Sequence, residues 1–385
     1  MKKIAALLLA LVMVFAVIGC NNAPSAPVAD EPVADEPVAD EPVADEPVAD
    51  EPVADGTYEI AMVTDVGNID DQSFNQFTYE GVKLYAEANG ITYSYYRPSE
   101  DSDEARIETI KGAIEKGAKI VVCPGYLFAG AFQTVPAEYP DVTFVGIDMS
   151  LLDVPEPTAN TVLIAYQEEQ AGYLAGFAAV KAGYTKLAFL GGMAVPAVIR
   201  YGEGFVQGVD AAAAELGNTA DIELKYWYSG SFAPTDDIVT KTGGWYTEGT
   251  QVIFACGGGI LYSAITSAQA TADGKIIGVD VDQGYIDERI ITSAFKALSD
   301  SVQTALAAVY GNGGTLPAEY AGQLVNYGAT ENAVGIPTAE ASWKLGDFTV
   351  EEYNALYAKL VSGELVVSND IENHPTVSIA VDYQE

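Results

Sequence analysis

The feature that most restricts how this chain can fold is an alternation of short apolar runs and helical windows that runs through the body and then starts again. β-rich apolar runs fall at residues 58–63, 91–96, 119–123 and 143–147. Between them lie helical stretches, one beginning at Phe74 and stopping at Asn89-Gly90, another over 103–116 capped by Gly117. A stretch containing Pro155 and Pro157 follows, and the alternation restarts with runs at 161–165, 186–190, 222–228, 252–255 and 275–279. Short runs alternating with helices imply parallel βαβ units. The fold class is therefore α/β, in two similar halves each built on a parallel sheet.

Open parallel sheets bind ligands outside the carboxyl ends of their strands, where the loops converge. Those loops are 65–75, Gly125 with Tyr126, Asp148, 191–200, 229–232, 257–259, 280–283, and Lys296 just past the run 290–293. Carboxylates, glycines and aromatics gather in them, whereas the runs are Val, Ile, Ala and Phe. Two such sheets would face each other across a cleft.

The first 55 residues have a different character. Lys2 and Lys3 precede an apolar run over 4–18, too short for a membrane span of ~20 residues and suited to a signal peptide core. It ends in Val17-Ile18-Gly19-Cys20, where a small residue before a thiol suits cleavage and acylation. Residues 31–55 are five copies of Glu-Pro-Val-Ala-Asp. Each copy carries two acids and a proline, so no face buries enough apolar area to offset the entropy of ordering. The array reads as an extended spacer; at ~3.1 Å per residue it would reach up to roughly 80 Å.

Charge and rare residues narrow the function. With 18 Lys+Arg against 55 Asp+Glu, the net charge of -37 opposes contact with nucleic acid or anionic lipid, and the body stays acidic once the array is set aside. The one histidine, His374, argues against histidine-based catalysis and most zinc sites. Cys123 and Cys256 end apolar runs in different halves and read as buried, unpaired thiols. No Gly-x-Ser-x-Gly elbow is present. Gly257-Gly258-Gly259 lacks the Gly-Lys-Ser/Thr of a phosphate loop, and the acids around Gly67 lack the spacing of a calcium loop. No cofactor or metal is expected, and the chain is not expected to be an enzyme. Phe74 and Phe232, one in each half, are placed to sandwich a flat ring or to plug a helix start. Asp148 and Asp280 end runs in opposite halves and read either as ligand acceptors or as helix caps.

These residues carry a resemblance. The stretches Ile60-Ala61-Met62-Val63-Thr64-Asp65 through Ile69-Asp70-Asp71-Gln72-Ser73-Phe74-Asn75-Gln76, then Tyr173-Leu174-Ala175-Gly176, then Ile277-Gly278-Val279-Asp280-Val281-Asp282-Gln283, and Thr292-Ser293 before Lys296, resemble the basic membrane protein family of nucleoside-binding lipoproteins of ABC transporters. The resemblance implies a two-lobed type I periplasmic binding protein, with Rossmann-like lobes joined by a three-segment hinge near Ala165, Lys296 and Gln323. The lobes would be residues 57–165 with 297–322, and 166–296 with 323–385, behind a signal peptide (1–19) and a tether (20–56) lipidated at Cys20. It further implies that Phe74 and Phe232 stack on a purine, that Asp65, Asn75 and Asp148 hydrogen-bond the ligand, that Asp280 and Lys296 hold ribose hydroxyls, and that Gly258 lets backbone approach. A cleft lined by Asp65, Asp148 and Asp280, opposed only by Lys296 and Arg200, favours nucleosides over nucleotides. The expected partners are a nucleoside and an ABC permease; the expected location is extracytoplasmic, with a monomer touching the membrane through its lipid alone. A sugar receptor on the same fold and a carboxylate-dependent hydrolase are the rival readings.

Overall fold

A computed structural model describes residues 57–384. The apolar leader, Cys20 and the pentapeptide array lie outside the described residues. Among the described residues, no helix is long and apolar enough to cross a membrane.

The strands form two sheets. The first contains β1 (Ile60–Val63), β2 (Tyr93–Tyr96), β3 (Ile120–Pro124), β4 (Thr143–Ile147), β5 (Thr161–Tyr166) and β11 (Gln323–Tyr327), in the order β11-β5-β4-β3-β1-β2 and parallel throughout. The second contains β6 (Lys186–Gly191), β7 (Glu223–Tyr228), β8 (Val252–Cys256), β9 (Lys275–Asp280), β10 (Ile290–Lys296), β12 (Val334–Gly335) and β13 (Ala380–Gln384), in the order β12-β10-β9-β8-β6-β7-β13. Only the short β12 runs antiparallel. Strands β1, β3, β4 and β8 are buried along their whole length, as central strands of a parallel sheet covered on both faces must be.

Local chemistry sets the helix ends. The helix Phe74–Asn89 starts where the Asp71 carboxylate accepts from the backbone of Ser73, Asn75 and Gln76, and stops at Gly90 in the left-handed conformation. The helix Pro196–Leu216 opens on a proline at its first turn. Arg200 therefore lies on a helix and not in a 191–200 loop.

The helices Glu168–Lys181 and Pro196–Leu216 pack more closely than ordinary side chains permit. Gly172 and Gly176 of one, and Gly204 and Gly208 of the other, each face backbone of the partner helix, so an added Cβ would strike Tyr201, Phe205, Glu169 or Tyr173. Gly208→Ala is expected to force the pair apart and cost about 1–3 kcal/mol in thermal or urea unfolding. An unchanged midpoint would show that the helices can separate freely.

The chain crosses between sheets three times: after Tyr166, between Lys296 and Leu298, and between Tyr327 and Val334. The crossings lie side by side, joined by Gln167 N to Tyr327 O (2.9 Å) and Ala297 N to Ala333 O (2.8 Å). This corrects the third boundary expected from sequence. Residues 323–327 belong to the first sheet, because β11 pairs with β5, and the crossing falls beyond them. A short edge strand with polar Gln323 and Asn326 carries no pattern that names its neighbour; packing decides it. The expected hinge near Ala165 moves by one residue, since Tyr166 still belongs to β5.

Candidate functional site

The carboxyl ends of the two sheets face one cavity of about 690 Å³. Asp65, Phe74, Asn75 and Asp148 reach it from the first lobe, and Phe232, Gly258, Asp280 and Lys296 from the second, so all eight residues singled out from sequence line one space. Tyr126, Met193 and Tyr201 complete parts of its wall.

Lys296 forms the floor. It ends β10 and is buried, with its ammonium paired to Asp148, 3.5 Å from Asp280 Oδ1 and 3.7 Å from Glu168 Oε1. The ammonium also lies 4.7 Å from the centre of the Phe74 ring, 5.4 Å from Tyr166 and 5.6 Å from Tyr201. Burial alone would lower its pKa, but Asp148, Asp280 and Glu168 outweigh burial and hold it above the usual range.

Asp148 and Asp280 do not cap helices. Each sits at a strand end with positive φ, 55° and 67°, a conformation that non-glycine residues adopt at a cost of order 1 kcal/mol. That turn aims both carboxylates inward, Asp148 at Lys296 and Asp280 at Lys296 and at Ser73, whose Oγ donates to Asp280 Oδ2 at 2.6 Å. Burial raises the Asp148 carboxyl to about 6, with the Glu168 charge adding to it and Lys296 opposing. Asp280 is raised for the same first reason. Among the described residues, Asp148 Oδ1 and the Tyr201 hydroxyl are buried without a hydrogen-bond partner. Such atoms in a cavity wall suit a ligand that brings hydroxyl groups.

At the other end of the first-lobe wall, Asp65 Oδ1 accepts from Gly67 N (2.6 Å) and Asn75 Nδ2 (2.7 Å). Burial raises this carboxyl to about 6, partly offset by those two donors. Asn75 also donates to Asp71 Oδ2 (3.1 Å) and accepts from Asp65 N (3.2 Å). Both its N–H groups are therefore committed, and only a lone pair on Oδ1 is left for a ligand. Its main work is to hold Asp65 in place. Gly258 lines the cavity with φ of 56°, and a Cβ built there would have Phe232 O as its nearest neighbour at 4.0 Å.

Arg200 does not face the cavity as a free cation. Its Nε donates to Glu168 Oε2 at 2.6 Å, and Glu168 is fully buried. The pair supports Lys296 from behind. Beside it Glu169 is buried, with Oε2 unpartnered among the described residues. Sequence reasoning passed over Glu168 and Glu169, because acids in the first turn of a helix read as ordinary complements to the helix dipole. Ser73, Gln72 and Tyr285 were missed as well. Besides the Ser73 bond, Gln283 Nε2 donates to Gln72 O (3.0 Å) and the Tyr285 hydroxyl to Gln72 Oε1 (2.6 Å), so hydrogen bonds tie the lobes across the cleft. These partners are more than 200 residues apart in the chain. Cys123 and Cys256 are buried and have no disulfide partner among the described residues.

Two α/β lobes, three adjacent crossings and a cavity at the facing strand ends define a periplasmic-type binding protein. A solved solute-binding protein of an ABC transporter system from Aeropyrum pernix K1 has this fold, with a TM-score of 0.69 at 21% identity, covering 82% of this chain and 94% of that one. Residues 58–371 match the Bmp family, described as ABC transporter substrate-binding protein PnrA-like, and the chain belongs to that family. It is 29% identical over 238 residues to the ABC transporter nucleoside-binding protein BmpA of Lactococcus lactis subsp. cremoris, covering 59% of this chain and 64% of that relative, just under two thirds of its length. It is also 29% identical to basic membrane protein A1 of Borrelia garinii subsp. bavariensis, covering 82% of this chain and 90% of that protein.

Proposed function

We infer that this chain captures a nucleoside between its lobes and hands it to an ABC permease, held at the membrane by a lipid on Cys20. The observation that carries the reading is the cavity floor: a buried lysine among Asp148, Asp280 and Glu168, with Asp148 Oδ1 and the Tyr201 hydroxyl unpartnered among the described residues, in a cavity that Phe74 and Phe232 also line. Lys296 and the acids suit a neutral polyol such as ribose, and Phe74 and Phe232 suit a flat base. Fixed carboxylates would repel a phosphate, and Arg200 is already paired with Glu168. The name of the Lactococcus relative points the same way. Ligand would draw the lobes together by its differential affinity for the closed arrangement. The acids serve binding and not hydrolysis in this reading, since Asp148 and Asp280 are tied to Lys296 and Ser73.

Mass spectrometry of small molecules released on denaturing the purified protein is expected to show an intact nucleoside. Calorimetry is expected to show binding of purine nucleosides and no competition from free pentose or hexose. Competition by sugars alone would transfer the site to the sugar-receptor reading, and release of free base during incubation would transfer it to the hydrolase. Asp280→Ala is expected to weaken nucleoside binding by about 1–3 kcal/mol, because a buried, charge-assisted acceptor is lost. Wild-type affinity in that variant would remove Asp280 from the site.

A further inference from the structure

Loops of the two lobes meet outside the cavity wall as well as in it. In the first lobe, Gln72 follows Asp71, whose carboxylate caps the helix Phe74–Asn89. Its backbone has φ of 53°, in the left-handed region that non-glycine residues seldom occupy. Gln76 Oε1 holds it there, accepting from Gln72 N (3.0 Å) and Gln72 Nε2 (2.9 Å). The nitrogens of Gln72 thus bond within their own lobe, while its two acceptors, the main-chain oxygen and Oε1, serve the other one.

The second lobe is set to meet them. Gln283 is fully buried; its Oε1 accepts from Val279 N at 2.8 Å and its main-chain N donates to Ser293 Oγ at 3.0 Å, both inside that lobe. Its Nε2 crosses to Gln72 O at 3.0 Å, and two residues on the exposed Tyr285 donates its hydroxyl to Gln72 Oε1 at 2.6 Å. Gln72, Gln283 and Tyr285 do not line the cavity, although Asp71 and Asp280, close by in the chain, do. Both loops are acidic, with Asp70 and Asp71 before Gln72 and Asp282 before Gln283. Bringing them together works against like charge, so the shut arrangement needs directed bonds.

Resting on the nucleoside reading above, we propose that Gln72, Gln283 and Tyr285 form a latch that sets how long a nucleoside stays in the cavity without touching it. They are positioning residues. Their bonds exist only while the lobes are together, so they favour the shut state over the open one and slow release. Entry takes place in the open state, before the latch forms, and its rate does not depend on them. Gln283 ties the latch to the site, because its Oε1 holds the main chain of Val279 immediately before Asp280. Since the latch does not meet the ligand, its effect is the same whatever base the nucleoside carries.

The test is stopped-flow measurement of association and release of inosine, guanosine and adenosine by the full chain, as wild type, Tyr285→Phe, Gln72→Asn and the double variant. Tyr285→Phe deletes one hydroxyl from an exposed ring, so folding is not at stake. Asparagine accepts the left-handed backbone of residue 72 and is one methylene too short to keep the bond to Tyr285. Each single variant is expected to release every nucleoside that binds about two- to tenfold faster, the range for one hydrogen bond, with association changed by less than about twofold. The double variant is expected to release no faster than Gln72→Asn, since both changes remove the same bond. Unchanged release, a loss confined to association, a factor that differs from base to base, or a double variant whose factor is the product of the singles would overturn the latch and leave the nucleoside reading standing. Absence of binding of any nucleoside to wild type would overturn that reading, and the latch with it.

Discussion

Lys296→Met is expected to abolish measurable nucleoside binding and to destabilise the protein by about 3–5 kcal/mol, the range for removing one partner of a buried ion pair. The substitution keeps most of the side-chain volume and deletes the charge, so the loss is electrostatic and not a cavity effect. Asp148, Asp280 and Glu168 would remain buried around a thioether, with Arg200 held on the far side of Glu168. Asp148 and Asp280, already raised by burial, would meet it by keeping protons. A carboxyl whose folded pKa is raised favours the folded state at low pH, and that advantage disappears as pH rises from the unfolded value toward the folded one. The variant should therefore lie closer to wild type at pH 5 than at pH 8 in urea unfolding. Adding Asp148→Asn should recover part of the stability, because it removes a charge left without its partner. Parallel pH curves for wild type and Lys296→Met, or a midpoint close to wild type at pH 8, would show that the ammonium does not neutralise the floor.

Glu169→Gln is expected to act in the opposite direction. Burial, with the charge of Glu168 adding to it, raises the Glu169 carboxyl to about 8 from an ordinary 4.5, and its Oε2 has no hydrogen-bond partner among the described residues. Below pH 4.5 the group is protonated in both states and costs nothing. Between 4.5 and 8 the unfolded chain releases the proton while the folded chain keeps it, so wild-type stability falls with pH. Above 8 the full difference applies, on the order of 5 kcal/mol before relaxation of the site. Glutamine cannot ionise, so the variant should gain on wild type steadily through this window and then hold its lead. Chemical unfolding at pH 5, 7 and 9 measures it. A constant offset at the three pH values would mean that Glu169 carries no shifted proton. Glu169 lies next to the first crossing between lobes, so the same titration is expected to weaken the region about which the lobes move.

Much of this architecture is readable in the chain because it depends on neighbours. The strands Thr143–Ile147, Lys186–Gly191 and Val252–Cys256 lie within a residue of the apolar runs, and the helix Phe74–Asn89 ends at the Asn-Gly stop. Misreadings came where local pattern was silent. The proline that opens the helix at Pro196 also fits a loop, and β11 is too short and polar to announce its partner.

The same division holds at the site. That Asp65, Asp148, Asp280 and Lys296 belong to strand ends that face the cavity follows from the rule for parallel sheets together with family resemblance. That Asp148 and Asp280 turn inward through left-handed backbone, that Glu168 and Arg200 buttress the lysine, and that Asn75 serves Asp65 does not follow from spacing. Ser73 meets Asp280 across 207 residues and Lys296 meets Asp148 across 148. Periodicity, caps and turn residues act over a few positions, so the chain alone determined its strands, its helices and its two-lobed plan. Which buried charges share a partner depends on the distances closed by folding, because the energy of an ion in a dry interior is set by whatever lies within a few ångströms of it. Only the tertiary structure decided that.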